Sequence, residues 1–171
     1  QTAASLIAGY QNLFIVRSFT KSFAIPGLRL GYVLGDNALI GKLRELKMPW
    51  TVNSLALEAG RFIMERYEEL MPDKEKVKSA LEDFQNQLEV LQDSLTVVPS
   101  QCNYCLIKLD GAYSGKLKQY LVDGYGILIR DASNFRGLDE HYIRVAVQKP
   151  EENRLLMEGL KNGIKWLNNI R

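Results

Sequence analysis

The stretch Ser18-Phe19-Thr20-Lys21-Ser22-Phe23-Ala24-Ile25-Pro26-Gly27-Leu28-Arg29-Leu30-Gly31-Tyr32 decides how this chain is read. Just before it, Leu13-Phe14-Ile15-Val16 is an unbroken apolar run, the pattern of a strand buried on both faces. That strand is expected over residues 13–19, ending in two hydroxyls and a lysine. Eight residues after Lys21, Arg29 sits inside a second apolar segment, expected as a strand over 28–34. A buried strand with this ending delivers polar groups to the carboxyl edge of a sheet, where open α/β sheets bind ligands.

The residue types suggest a chemistry. A lysine in a partly desolvated pocket can form a Schiff base with an aldehyde. The hydroxyls of Ser18 and Thr20 can donate to phosphate oxygens, and the Arg29 guanidinium grips the same dianion through a planar fork. The set suits a cofactor with both an aldehyde and a phosphate, which describes pyridoxal 5'-phosphate. Taken alone, Lys21 reads as a solvated lysine after a strand, and the rest of the motif is what turns the reading to a cofactor lysine.

Ser18-x-Thr20-Lys21, with Arg29 inside Gly27-Leu28-Arg29-Leu30-Gly31-Tyr32, resembles the cofactor-lysine motif of class I/II aminotransferases. These are the fold-type I pyridoxal-phosphate enzymes, and the nearest branch holds histidinol-phosphate aminotransferase and threonine-phosphate decarboxylase. The resemblance implies that Lys21 is the catalytic residue and holds the cofactor aldehyde. Ser18, Thr20 and Arg29 would hold its phosphate. It covers the C-terminal portion of the family's chain, so the sequence reads as a fragment of a longer enzyme, expected to bind the cofactor weakly or not at all alone. The implied fold class is α/β: a remnant of the large-domain sheet with an interdomain helix (residues 1–70), then a small α/β domain with helices over a mostly antiparallel sheet (residues 71–171).

Periodicity outlines the elements. Residues 1–11 read as the tail of a helix and a turn, and residues 20–27 as a loop with Pro26-Gly27 as its turn signal. A short helix is expected over 38–47. Asn53 caps a helix to about Leu70 with Leu55, Ala59, Phe62, Ile63, Tyr67 and Leu70 on one face. Asp73 caps another to about Asp93. Strands are expected over 95–98, 103–109, 126–130 and 142–147. Between them Ser114 caps a helix through Val122, with Gly124 at its end. Pro150, then Glu151 and Glu152, opens the last helix.

Arg130 and Arg144 are arginines set in apolar strands, so each needs an anionic partner or a wet cavity. Side by side, they could aim at one anion; equally, each could pair with a carboxylate such as Asp131 or Glu140. The resemblance implies the former, with both binding the substrate's carboxylate or phosphate. Arg136, in the loop between them, reads as solvated, with an added anion contact as the alternative.

Cys102-x-x-Cys105 invites a redox or zinc reading, but there is no second pair and His141 is the only histidine. Reduced structural thiols and a surface-loop His141 are expected, with no metal site. Gly31 to Gly35 is no phosphate loop, because no lysine-hydroxyl pair follows the second glycine.

At 171 residues, with 46% hydrophobic and 25% charged, the composition is that of a soluble globular protein. A formal charge of +2 gives no reason to expect nucleic acid or an anionic membrane as partner. Two cysteines fit a reducing compartment, here the cytoplasm. The expected partner is a phosphorylated amino acid or amine, acted on by a homodimer. The reaction leans to decarboxylation of threonine phosphate for cobalamin biosynthesis, with histidinol-phosphate transamination, or that of another amino acid, as the alternative. From another class, a ligand-sensing domain of a transcription regulator would share these residues.

Overall fold

Strand β1 (Phe14–Ser18) stops where its last side chain begins something else. Ser18 Oγ accepts the Thr20 N–H at 3.1 Å and so caps a single helical turn, α1 (Phe19–Ser22). A 3-10 turn (Pro26–Leu28) leads to β2 (Gly31–Gly35), which pairs antiparallel with β1 from Phe14↔Gly35 to Ser18↔Gly31. The region expected as a loop over 20–27 thus holds two helical turns. The second strand starts at Gly31, not Leu28, because Arg29 adopts the left-handed conformation (φ 52°, ψ 48°), which no strand accommodates. A computed structural model describes residues 3–169, and residues 1 and 2 of the expected helix tail lie outside it. From Ala3 to Gly9 that tail is a 3-10 helix.

The expectation that β1 is buried on both faces is overturned: Phe14 is 49% and Val16 69% exposed. Among the described residues β1 pairs only with β2 in a two-stranded sheet, and an apolar run does not bury itself. The core beside the ribbon consists of Phe19, Leu30, Ala56 and Ile63. Helix α2 (Asn37–Leu46) is capped by Asp36, whose Oδ1 accepts from Ala38 N–H at 2.8 Å. Asn53 caps α3 (Ser54–Glu65) through Ala56 N–H at 2.8 Å, as read. The helix expected to run to Leu70 breaks at Arg66 (φ −121°) and resumes as α4 (Tyr67–Leu70). Its buried positions are Ala56 and Ile63, whereas Leu55 and Phe62 are exposed, so the buried face is narrower than the apolar stripe.

The chain divides between Pro72 and Asp73 into two compact units. In the second, Asp73 caps α5 (Lys74–Glu89) by accepting from Glu75 and Lys76 N–H. It ends at Glu89, short of the expected Asp93, where the chain tightens into turns. Then follow β3 (Leu95–Val98), β4 (Tyr104–Leu109), α6 (Ser114–Tyr125), β5 (Arg130–Asp131), β6 (Tyr142–Ala146) and α7 (Pro150–Asn169). The strands form one sheet, in the order β3-β4-β6-β5, and every pairing is antiparallel.

Alternation along these strands separates two faces. Cys105, Ile107 and Leu109 of β4 and Ile143 and Val145 of β6 are buried with Phe84 and Leu88 of α5, Leu117 and Leu121 of α6, and Leu160 and Ile164 of α7. Tyr104, Lys108, Arg144 and Ala146 are exposed. Helices α6 and α7 approach closely at Gly159 and Gly163, where an added Cβ would lie 2.6 Å from Leu121 and Leu117 respectively. The strand expected over 126–130 shrinks to Arg130–Asp131. Gly126, not Gly124, closes α6 in the left-handed conformation (φ 66°), with its N–H and that of Ile127 donating to the Val122 and Leu121 carbonyls.

Candidate active site

Two groups of the expected residues are found, one in each unit. In the first unit, Phe19 N–H donates to Leu30 O at 3.1 Å, drawing the end of β1 beside the start of β2. Ser18, Thr20, Lys21 and Arg29 are thereby carried on neighbouring turns at one end of the ribbon. Phe19, 2% exposed, anchors this end in the core and stacks at a tilt against Phe23 and Tyr32. Burial, then a hydrogen bond with Tyr67, pushes the Tyr32 hydroxyl's pKa up, so Tyr32 stays neutral beside this turn.

Lys21 is exposed in the described chain and forms no ion pair among the described residues, rather than lying in a desolvated pocket. Arg29 is likewise exposed in a turn instead of embedded in a strand, and its Nη1 donates to Pro26 O at 2.9 Å. Ser18 Oγ uses one acceptor position on Thr20 and keeps its O–H to donate; Arg29 keeps most of its five N–H donors. A left-handed backbone costs a residue with a Cβ about 1 kcal/mol or more. A chain that needed only to turn at position 29 would be relaxed by glycine there, yet it carries a guanidinium.

In the second unit, Arg130 of β5 and Arg144 of β6 are direct cross-strand partners. Both are exposed, on the sheet face away from the helices. Neither meets a carboxylate among the described residues, so pairing with Asp131 or Glu140 is not found. The reason is strand geometry: successive side chains point to opposite faces, so Asp131 turns away from its neighbour. Its Oδ1 accepts from Ser114 Oγ and Ser133 N–H, each at 2.9 Å. The Ser133 backbone N–H first, with the Ser133 and Ser114 hydroxyls and the Lys118 charge assisting, holds this carboxyl below its ordinary pKa against the opposing effect of burial.

Sequence reasoning missed the groups that hold the arginines. Arg130 Nη2 donates to Asn134 Oδ1 at 3.0 Å. The Arg130 and Arg144 guanidinium carbons lie 5.4 and 5.9 Å from the centre of the Phe135 ring, and Arg144 lies 5.0 Å from that of Tyr104. Asn134-Phe135 stood in the sequence as loop residues of the Arg130–Arg144 interval, with no side-chain contact read for either.

His141 is half-buried rather than a free surface residue: its Nδ1–H donates to Ala112 O at 2.8 Å and its ring stacks on Tyr113. Cys105 is buried on β4, and burial pushes its thiol pKa up; Cys102 is exposed in the preceding loop. No group of three or more metal-ligating side chains gathers among the described residues, and none of their helices is long and apolar enough to cross a membrane.

Residues 1–160 match the family described as aminotransferase class I and II, and the chain belongs to that family. It is 41% identical over 159 residues to a provisionally named threonine-phosphate decarboxylase of Caldanaerobacter subterraneus subsp. tengcongensis, covering 93% of this chain and 43% of the relative. Against histidinol-phosphate aminotransferase 1 of Carboxydothermus hydrogenoformans the identity is 33%, covering 93% and 44%. Its structure resembles that of L-threonine-O-3-phosphate decarboxylase from Porphyromonas gingivalis, with a TM-score of 0.87 and 36% identity over 95% of this chain and 50% of that one. The architecture is that of the fold-type I enzymes. The chain spans less than half the length of the curated relatives it matches.

Proposed function

We propose that this chain is part of a pyridoxal-phosphate-dependent enzyme that decarboxylates L-threonine O-3-phosphate or a closely similar phosphorylated amino acid, a step of cobalamin biosynthesis. The observation that carries the substrate class is the facing pair Arg130 and Arg144, two cations with no carboxylate partner among the described residues. Like charges directly opposite each other on adjoining strands repel, and a ligand with two negative groups relieves that repulsion.

The donor set at the ribbon end fits the cofactor. Two hydroxyls with O–H groups left to donate and a guanidinium with spare donors suit a phosphate, and an exposed primary amine suits an aldehyde. When bound, the cofactor supplies an electron sink for the substrate α-carbon. Lys21 would hold it through Nζ, and the same amine would move a proton at the substrate α-carbon. Ser18, Thr20 and Arg29 fix the phosphate, while Arg130 and Arg144 orient the substrate through its carboxylate and phosphate. On this reading residues 1–70 are the remnant of the cofactor-binding domain with the interdomain helix, and 71–171 are the small domain. The resemblance supports a homodimer, and two free thiols support a cytoplasmic setting.

A second reading, transamination of histidinol phosphate, is favoured by the 33% identical aminotransferase relative. The protein carrying this chain, supplied with pyridoxal phosphate and L-threonine phosphate, is expected to release carbon dioxide. Transfer of the amino group to 2-oxoglutarate instead overturns the decarboxylase. Borohydride reduction followed by peptide mapping is expected to label Lys21, and a label on another lysine overturns the site.

A further inference from the structure

Phe135 stands under both arginines, and the reaction proposed above gives it no part. The Arg130 and Arg144 guanidinium carbons lie 5.4 and 5.9 Å from the same ring centre. The electron-rich face of a benzene ring attracts cations at this distance. It therefore offsets, at one place, the repulsion between two like charges that face each other across β5 and β6. The ring is held by its turn: Phe135 N–H donates to O of the buried Ala132 at 3.0 Å, and Phe135 O accepts from Leu138 N–H at 3.0 Å. Each arginine also has a support of its own, Asn134 for Arg130 and Tyr104 for Arg144. Phe135 is the support they share.

We propose that Phe135 is a positioning residue that sets specificity, holding Arg130 and Arg144 side by side so that a substrate with two anionic groups is gripped at both. This rests on the reading of the two arginines as anion ligands. A ligand with one anionic group needs one arginine, which keeps its own support without the ring. A ligand carrying both carboxylate and phosphate needs the pair, and the ring's loss falls on that ligand.

The test is a titration of the 15N-labelled protein carrying this chain, followed by the Nε–Hε resonances of Arg130 and Arg144. O-phospho-L-threonine is expected to move both resonances along one binding curve. Phe135→Leu keeps the apolar bulk and is expected to weaken phosphothreonine about fivefold to tenfold, the loss of two cation–π contacts. It leaves L-threonine unchanged, and Phe135→Tyr, which keeps the ring face, restores the wild-type affinity. Wild-type phosphothreonine affinity in Phe135→Leu overturns the inference alone, as does an equal loss for both ligands or a failure of Phe135→Tyr to restore. If neither arginine of the wild-type chain responds to phosphothreonine, the anion-site reading fails and takes the inference with it.

Discussion

Asp131 couples the helical side of the second unit to the two-residue strand that carries Arg130. Its carboxylate accepts from Ser114 Oγ, a nearly fully buried hydroxyl, and from Ser133 N–H in the following turn. These bonds favour the charged form, so the folded-state pKa is depressed below 3.8. A depressed carboxyl contributes stability at pH above its unfolded value, and that contribution is lost as pH falls through the folded value. Asp131→Asn is expected to destabilise the chain by about 1–2 kcal/mol near neutral pH, with the gap closing as pH falls through the folded-state value. Urea unfolding of both proteins at neutral and at strongly acid pH checks this, and a gap of constant size would mean the charge is irrelevant. At the same scale the candidate site was only half legible. Arg29, Arg130 and Arg144 stood out because a charge amid apolar neighbours is visible in one dimension, and Lys21 because it follows two hydroxyls at the end of an apolar run. Phe135 and Asn134 did not, because their contacts depend on how a loop folds back over a sheet edge.

Elements were legible where a cap and a period agreed. Asp36, Asn53, Asp73 and Pro150 each open a helix close to where the sequence puts one. The misreadings have local causes. Ser18 caps a helical turn from inside an apparent strand, and Gly126 takes a left-handed conformation where a strand was expected to start. The glycines of the ribbon motif also divide in a way spacing does not show. A Cβ on Gly31 would lie 2.6 Å from the Arg17 carbonyl oxygen, a backbone atom of β1 that cannot step aside. Gly27 has nothing within 4 Å of such a Cβ. Gly31→Ala is therefore expected to cost about 1–3 kcal/mol and to part the ribbon beside Ser18. Gly27→Ala should stay within about 0.5 kcal/mol of the parent. Urea melts read from β1 amide peaks separate the two, and equal effects would remove the steric argument.

Across the whole molecule the two units differ in the depth of their cores. Among the described residues, four buried side chains make up the first core, whereas the second gathers buried residues from three helices and three main strands. Local opening is easiest where few apolar contacts must break. Amides of β4 and β6 are expected to exchange with deuterium at least about a hundredfold more slowly than those of β1 and β2. Comparable protection in both sheets would contradict this. The division into units has a practical corollary. Lys21 lies in one unit and the arginine pair in the other. Each neighbourhood therefore needs a reporter in its own unit when unfolding is followed, because a probe placed in one describes only the residues around it.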